Sequence, residues 1–119
     1  MEFNGTQTIY LQIADYVCDQ IQLNKWMDNE KIPSVRELAI LLEVNPNTLM
    51  RAYEYLQQQE VIYTKRGMGY YVQENAAARI LKTRRKQFIT HDLPLIFKKM
   101  DLLNLSIEEL KDLYLQQNS

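Results

Sequence analysis

Residues able to recognise another molecule cluster at the head of one helix, in the stretch VNPNTLMRAYEYL that begins at Val44. Asn45 is a favourable N-cap, and Pro46 then occupies the first helical position, where its missing N–H costs nothing and its fixed φ suits a helix. Arg51 lies further along this helix and can donate two hydrogen bonds to a guanine edge. A helix N-terminus also presents free amides and a positive dipole end to phosphates. The chemistry that this stretch offers is therefore hydrogen bonding to bases and phosphates.

The apolar residues of the same stretch show which side of the helix is free. Their spacing of three and four residues predicts one buried stripe, formed by Leu49, Ala52, Tyr53 and Leu56. Asn47 and Arg51 fall opposite this stripe, and Thr48 flanks it. A polar face of this kind is usually only solvated, so the order of the surrounding elements must decide whether it recognises anything.

Catalytic and metal-binding chemistry finds little support in the chain. The single histidine, His91, and the single cysteine, Cys18, cannot build a metal site of ordinary composition, and acidic ligands at a convincing spacing are absent. No serine or cysteine lies in a nucleophile motif with a base nearby. We therefore expect no metal, no cofactor and no enzymatic activity.

Composition and charge describe a small soluble protein with an uneven charge distribution. The chain has 119 residues, enough for one domain and a small appendage. No run approaches a membrane span, the N-terminus lacks a secretory signal, and the lone cysteine suits a reducing cytoplasm. Residues 1–75 hold six Lys and Arg against ten Asp and Glu, a balance of −4, and residues 76–119 hold eight against five, a balance of +3. These balances sum to the net charge of −1, so neither half has the strong basic excess that announces nucleic-acid binding.

Two further helices are predicted before the Asn45 helix. Apolar residues recur at intervals of three and four over residues 9–23, which indicates one face of an amphipathic helix. A connector then runs to Pro33. Ser34 and Glu37 form an S-x-x-E capping box, so a second, short helix begins there.

After the Asn45 helix, the sequence predicts a hairpin and a helical tail. Strands are expected over residues 61–64 and 70–73, joined by a tight connection over residues 65–69. Asn75 can cap a helix over residues 76–89, and residues 91–94 (HDLP) are expected to break it. A second tail helix follows, and an S-x-x-E capping box at residues 106–109 begins a third.

This order of elements predicts a mainly α-helical protein with a small β-hairpin, in which a winged helix-turn-helix precedes a short helical tail. Two helices joined by a three-residue turn, with a helix before them and a hairpin after them, are more specific than any one of these parts. In such folds the second helix of the pair enters the DNA major groove with its N-terminal residues against base edges. Asn45, Asn47, Thr48 and Arg51 would then face double-stranded DNA.

The stretch IPSVRELAILLEVNPNTLMRAYEYLQQQEVIYTKRGMGYYV closely resembles the winged-helix domain of the GntR family of bacterial transcription regulators. Residues 10–13 (YLQI) match the opening helix of that family, and residues 33–39 (PSVRELA) match its second. The segments VNPNT and RAY are similar to the YtrA-like subfamily in particular. The resemblance covers residues 8–73, and it implies a sequence-specific DNA-binding regulator.

The resemblance also implies which residues contact DNA. On the helices these are Arg36, Asn45, Asn47 and Thr48. On the wing, which is the predicted hairpin, they are Arg66, Gly67 and Gly69. Beside them we expect Arg51 to read a base and Lys65 to contact a phosphate.

The chain departs from the family pattern at four positions. Pro46 and Met50 stand where many members carry arginine, and Arg51 can supply the lost charge. Asn24 and Asn29 stand where glycine is frequent, and asparagine tolerates the left-handed conformation better than most residues. We therefore expect the turns of the connector to survive, and the family pattern does not determine the base preference.

Residues 76–119 are predicted to form a dimerisation tail behind a DNA-binding domain of residues 1–75. Short helices are marginal alone, and the apolar stripes of this tail exceed what three of them can cover among themselves. The residues concerned are Leu93, Ile96, Phe97, Met100, Ile107, Leu110 and Tyr114. A homodimer would present two recognition helices to one inverted-repeat operator. YtrA-like regulators often act as repressors, so the resemblance points to a repressor.

Other interpretations stay open at this stage. The acidic balance of residues 1–75 also suits a winged-helix module used for protein–protein assembly. The basic run from Arg79 to Lys86 is either a solvated face or a set of phosphate contacts. Any small-molecule effector is expected to bind at an interface between chains, or not at all, because the tail is too short to be a separate ligand domain.

Overall fold

The computed structural model describes residues 8–118, and its elements follow the predicted order. They are α1 (Ile9–Gln22), α2 (Val35–Leu42), α3 (Pro46–Gln58), β1 (Ile62–Lys65), β2 (Gly69–Val72), α4 (Ala76–Gln87), a π-helical turn (Phe88–Asp92), α5 (Leu93–Leu102) and α6 (Ile107–Gln117). The predicted fold class, mainly α-helical with one hairpin, is confirmed. Packing divides the chain into a first unit that ends at Lys82 and a second that begins at Thr83, later than the boundary predicted after residue 75.

The core of the first unit forms where α1 and α3 pack together. The predicted stripe of α3 is confirmed, with exposures of 1% or less for Leu49, Ala52, Tyr53 and Leu56. Ile13 and Val17 of α1 are fully buried in the same core. Ala76 and Ile80 of α4 also belong to it, which is why the first unit extends beyond residue 75.

The start of α2 carries the predicted capping box. Ser34 donates its backbone N–H to Glu37 Oε1 at 2.9 Å, and Ser34 Oγ accepts from the Glu37 N–H at 3.1 Å. These hydrogen bonds lower the pKa of the Glu37 carboxyl below its ordinary value of 4.5. The largest effect comes from the Ser34 backbone N–H, and the second largest from the Ser34 side chain. The second predicted box, formed by Ser106 and Glu109, is present at the start of α6.

Ser34→Ala is expected to lower the free energy of unfolding by about 1 kcal/mol, because an amide at the start of α2 loses its acceptor. Urea denaturation followed by circular dichroism measures this loss, and Ser34→Thr, which keeps an acceptor, should retain most of the stability. The pKa of Glu37 is lowered in the folded state, so the contribution of its carboxylate is present above pH 4.5 and fades as the pH falls below that value. Unchanged unfolding of Ser34→Ala would contradict this role.

β1 and β2 form the predicted antiparallel hairpin, shifted by one residue from the predicted bounds. Lys65 pairs with Gly69 at the end of the ladder, and the N–H of Met68 donates to the Lys65 carbonyl at 2.9 Å to close the turn. Gly67 has φ +74°, a left-handed conformation that glycine adopts without a steric cost. The chain therefore reverses tightly between the two strands.

The connector between α1 and α2 pairs with the hairpin, which the sequence did not indicate. The N–H of Ile32 donates to the Tyr70 carbonyl at 3.0 Å, and Lys31 faces Tyr71 across a single β-bridge. The connector thus lies along β2 and carries its own side chains to the wing.

Three asparagines between residues 8 and 82 take the left-handed conformation. Asn24 and Asn29 have φ +60° and +63°, which confirms that the connector keeps its turns without glycine. Asn75, predicted to cap α4, has φ +64°, and its N–H donates to Asp28 Oδ2 at 3.0 Å. Helix α4 therefore begins after a left-handed residue held by Asp28, rather than after an extended N-cap residue.

The predicted helix break at residues 91–94 is wrong. Gln87 and Leu93, on either side of the π-helical turn, have right-handed helical dihedrals, and the N–H of Leu93 donates to the Phe88 carbonyl five residues back. The ring of a proline clashes with the carbonyl four residues before it in a regular helix. The wider turn ahead of Pro94 relieves this clash, so the backbone stays helical.

Candidate nucleic-acid interface

The N-terminal end of α3 is built by Asn45 and Pro46 as predicted. Asn45 has extended dihedrals, and its Oδ1 accepts a hydrogen bond from the backbone N–H of Asn47 at 2.7 Å. The cap thus occupies the side-chain oxygen of Asn45 and leaves its NH₂ group as the donor for a ligand. The side chain of Asn47 is exposed and that of Thr48 is half-buried.

Tyr10 of α1 and Arg51 of α3 meet beside this helix start. The guanidinium carbon of Arg51 lies 4.1 Å from the centroid of the Tyr10 ring, which is a cation–π contact. The two side chains border an open cleft of about 380 Å³, whose other lining residues are Thr8, Ile9, Asn47 and Thr48. Three of the predicted recognition residues therefore share one surface with the beginning of α1.

Met50 and Tyr70 lie together where α3 meets the wing. The Tyr70 hydroxyl donates to Met50 Sδ at 3.8 Å, and the Tyr70 ring meets the Tyr53 ring edge-on, with centroids 4.8 Å apart. Tyr53 donates its hydroxyl to the Pro33 carbonyl at 2.7 Å, and burial raises the pKa of its phenol, so this donor stays protonated. Met50 is 39% exposed. An apolar thioether is therefore held at the edge of the presented face of α3.

The wing places two basic residues at its exposed turn. Lys65 Nζ lies 4.6 Å from the centroid of the Tyr71 ring, so a cation–π contact holds the ammonium group near the hairpin. Arg66 and Gly67 are exposed at the turn itself. Lys65, Arg66 and Gly67 are thus accessible, whereas Gly69 is half-buried.

Lys31 also reaches the wing, and sequence reasoning missed it. Its Cε would lie 3.1 Å from a Cβ added to Gly69, so the lysine side chain crosses directly over this glycine. Gly69 has φ +107°, a conformation that other residues rarely adopt. The β-bridge through Lys31 brings it here, and no local pattern in the sequence announces that bridge.

Arg36 and Arg79 lie apart from the cleft. Arg36 is exposed in the first turn of α2, outside the residues that line the cleft. Arg79 Nη1 donates to the Glu74 carbonyl at 2.7 Å and to the Glu60 carbonyl at 3.4 Å. Arg79 therefore ties two loops together, which favours a structural role for this member of the basic run.

Apolar side chains are exposed over much of the second unit. Of the predicted dimerisation residues, those exposed are Ile96, Phe97, Ile107, Leu110 and Tyr114. Leu93 is half-buried, and Met100 is only 6% exposed, so the single chain already covers Met100 and a partner could not. The prediction missed further exposed apolar residues: Phe88, Ile89, Leu95, Leu102, Leu103, Leu113 and Leu115.

Two other kinds of site find no basis in the part of the chain that the structure describes. Among residues 8–118, no group of three or more His, Cys, Asp or Glu side chains could hold a metal ion. Over the same residues, no helix is long and apolar enough to cross a bilayer.

A helix pair whose second member presents its N-terminal end, followed by a hairpin that carries basic residues, defines a winged helix-turn-helix protein. The family model described as "Bacterial regulatory proteins, gntR family" matches residues 9–72, which is more than half of the chain. The chain belongs to the GntR family.

Relatives and solved structures agree with this assignment. The chain is 34% identical over 109 residues to the HTH-type transcriptional regulator YhcF of Bacillus subtilis (strain 168), covering 92% of this chain and 88% of YhcF. It is 38% identical over 74 residues to the HTH-type transcriptional repressor YtrA of the same organism, covering 62% of this chain and 57% of YtrA. A GntR-family structure from Bacteroides thetaiotaomicron is 43% identical with a TM-score of 0.78, covering 94% of this chain and all of that one.

These relatives confirm the predicted resemblance to the GntR family and to its YtrA-like members. The chain is a helix-turn-helix transcriptional regulator and not an enzyme.

Proposed function

We propose that this regulator binds an inverted-repeat DNA operator as a homodimer and represses transcription of the adjacent genes. The observation that carries the proposal is the cleft beside the start of α3, where Asn47, Thr48 and Arg51 share one open surface. Side chains able to hydrogen-bond base edges are thus gathered at the helix end that a winged helix-turn-helix presents to the major groove.

In this proposal the N-terminal end of α3 enters the major groove. Arg51 donates two hydrogen bonds to guanine, because its guanidinium group has five N–H donors, more than the contact with the Tyr10 ring can engage. Asn47 and Thr48 hydrogen-bond neighbouring base edges. The NH₂ group of Asn45 and the free amides of the first turn bind a phosphate. Arg36 contacts the DNA backbone from the start of α2.

The wing supplies cationic groups that offset the acidic balance of the first 75 residues. Lys31, Lys65 and Arg66 gather near the hairpin turn, where each can approach a phosphate or the minor groove. Gly67 and Gly69 permit the tight turn that lets the backbone come close to DNA. In this proposal, DNA binding depends on the positive charges near the hairpin turn and not on the net charge of the first 75 residues.

The exposed apolar side chains of the second unit support the homodimer. Contiguous apolar patches above a few hundred Å², by order of magnitude, are rare on monomers and mark interfaces. Cyclic dimers are the commonest closed assemblies, and a two-fold dimer matches an inverted repeat. Ile96, Phe97, Ile107, Leu110 and Tyr114 form this interface in our proposal.

The repressor role rests on the likeness to YtrA, which carries the name of a transcriptional repressor. A dimer bound across an operator occupies DNA that RNA polymerase would otherwise contact. Repression by steric exclusion needs no further domain. In this proposal the protein acts in the bacterial cytoplasm, because the operator DNA lies there.

Selection from randomised duplex DNA with the full chain tests the proposal. We expect enrichment of an inverted repeat whose half-site centres lie about 10 bp apart or at a multiple of that spacing. A second candidate function, a winged-helix module for protein assembly, is favoured by the balance of −4 over residues 1–75, and it would enrich no sequence. Recovery of unselected DNA would therefore refute the operator-binding proposal.

Lys65→Ala is expected to weaken binding to the operator and to random DNA by the same factor, because a phosphate contact carries no base information. The slope of log affinity against log salt should also fall by about 1. Lys25→Ala, which removes an exposed charge from the connector, is the matched control and should change neither quantity. A loss confined to the operator would contradict the phosphate assignment.

A further inference from the structure

Tyr10 contacts two side chains of α3 that are one helical turn apart. Its ring centroid is 4.1 Å from the guanidinium carbon of Arg51 and 6.1 Å from the centroid of the Tyr55 ring, which meets it edge-on at 75°. Residues four apart on a helix are neighbours on one face, so Arg51 and Tyr55 approach Tyr10 from the same side of α3. Tyr55 fixes the tyrosine ring, and the ring offers a face to the guanidinium group.

The contact with the Tyr10 ring reduces the rotamer freedom that the Arg51 side chain loses when it binds DNA. A long side chain gives up rotamer freedom on binding, and a side chain that is already held in its bound orientation gives up less. The guanidinium group of arginine has five N–H donors, so the contact with the Tyr10 ring leaves donors available to a base. Asn47 and Thr48 line the same cleft as the stacked pair, so the free N–H edges lie beside other groups able to hydrogen-bond bases.

We propose that Tyr10 is a positioning residue for DNA recognition, and that its ring holds the Arg51 guanidinium group with its N–H edge towards the bases that α3 reads. The proposal rests on the proposed function, because it requires Arg51 to contact a base. Tyr10 need not touch DNA itself. Helix α1 then contributes to sequence selectivity through a side chain outside the major groove.

The test crosses variants at Tyr10 with Arg51→Ala in the full chain, using the duplex that the wild type enriches. Tyr10→Leu removes the aromatic face, and we expect about a 3- to 10-fold loss of affinity for that duplex. Tyr10→Phe keeps the face and should bind as the wild type does. In the Arg51→Ala background Tyr10→Leu should cause no further loss. Selectivity should relax at the same base pair in both single variants.

Several outcomes would overturn the proposal. Equal losses from Tyr10→Leu with and without Arg51, or equal losses on random DNA, would show a general disturbance of the fold. If Tyr10→Leu does not fold, Tyr10→Met replaces it, because its longer side chain fills more of the same space. The wild type gives an independent answer, since the Arg51 Nε–H resonance should carry a ring-current shift that Tyr10→Phe retains. An unshifted resonance also overturns the proposal.

Failure of this inference is distinguishable from failure of the proposed function. If the wild type enriches no duplex, the proposed operator binding is wrong. If the wild type enriches a duplex and Tyr10→Leu binds it with unchanged affinity and selectivity, operator binding stands and the positioning role of Tyr10 is wrong.

Discussion

Removal of the second unit is expected to lower operator affinity by about 10²- to 10⁴-fold, because the second half-site then no longer binds within the same complex. A chain that ends at Lys82 keeps α1–α3, the hairpin, and the buried residues Ala76 and Ile80. A cut after residue 75 would remove those two residues from the core and would mix a folding defect with the loss of dimerisation. Fluorescence anisotropy with the enriched operator measures the loss, and affinity for a single half-site should stay unchanged.

Point variants of the full chain test the effect of lost dimerisation without shortening the protein. Phe97→Glu introduces a charge on the exposed apolar surface of α5, and we expect sedimentation to show a monomer with the operator affinity of the shortened chain. Lys98→Gln, at an exposed neighbouring position, changes the charge by the same single unit and should remain dimeric. A wild type that sediments as a monomer at micromolar concentration would refute the dimer. So would full operator affinity in the chain that ends at Lys82.

Local chemistry made much of the fold predictable from the sequence. The capping box of Ser34 and Glu37 needs residues only three apart, and the start of α3 needs only Asn45 followed by Pro46. Helical periodicity sufficed to identify the buried stripe that includes Tyr53. Each of these features is decided within one or two turns of chain, so the prediction and the structure agree.

Contacts between distant parts of the chain were not predictable in the same way. The stack of Tyr10 on Arg51 and the approach of Lys31 to Gly69 depend on how α1 and the connector pack against α3 and the hairpin. Periodicity predicted only that residues 9–23, which include Tyr10, form an amphipathic helix. Three of the residues predicted to read DNA, Asn47, Thr48 and Arg51, line one cleft beside α3, but the contact of Tyr10 with Arg51 was not predicted.

The prediction that the helix breaks at Pro94 overestimated the effect of this proline on the backbone. Pro94 follows a turn whose bonds span five residues, and this arrangement avoids the carbonyl that a regular helix would place against the ring. The rule that a proline ends a helix assumes hydrogen bonds between residues four apart. It failed here because the bonds ahead of Pro94 join residues five apart.

Arg51→Ala is expected to weaken operator binding by about 1–3 kcal/mol and to relax selectivity at one base pair of each half-site. The physical reason is the loss of two hydrogen bonds to guanine, which no other base can accept in the same geometry. Competition binding against operators substituted at each position identifies that base pair. Random DNA, which offers Arg51 no fixed partner, should be bound with a much smaller loss.

Two further variants decide how Arg51 acts. Arg51→Lys keeps the positive charge but lacks the planar fork, so it should lose selectivity almost as fully as Arg51→Ala while retaining affinity for random DNA. Arg85→Ala removes the same charge from an exposed residue that does not line the cleft, and it should leave the base preference unchanged. Equal losses on the operator and on random DNA would instead make Arg51 a phosphate contact that Tyr10 holds in place. The cation–π contact would then stabilise a backbone clamp, and selectivity would have to come from Asn47, Thr48 and the edge of α3 that Met50 occupies.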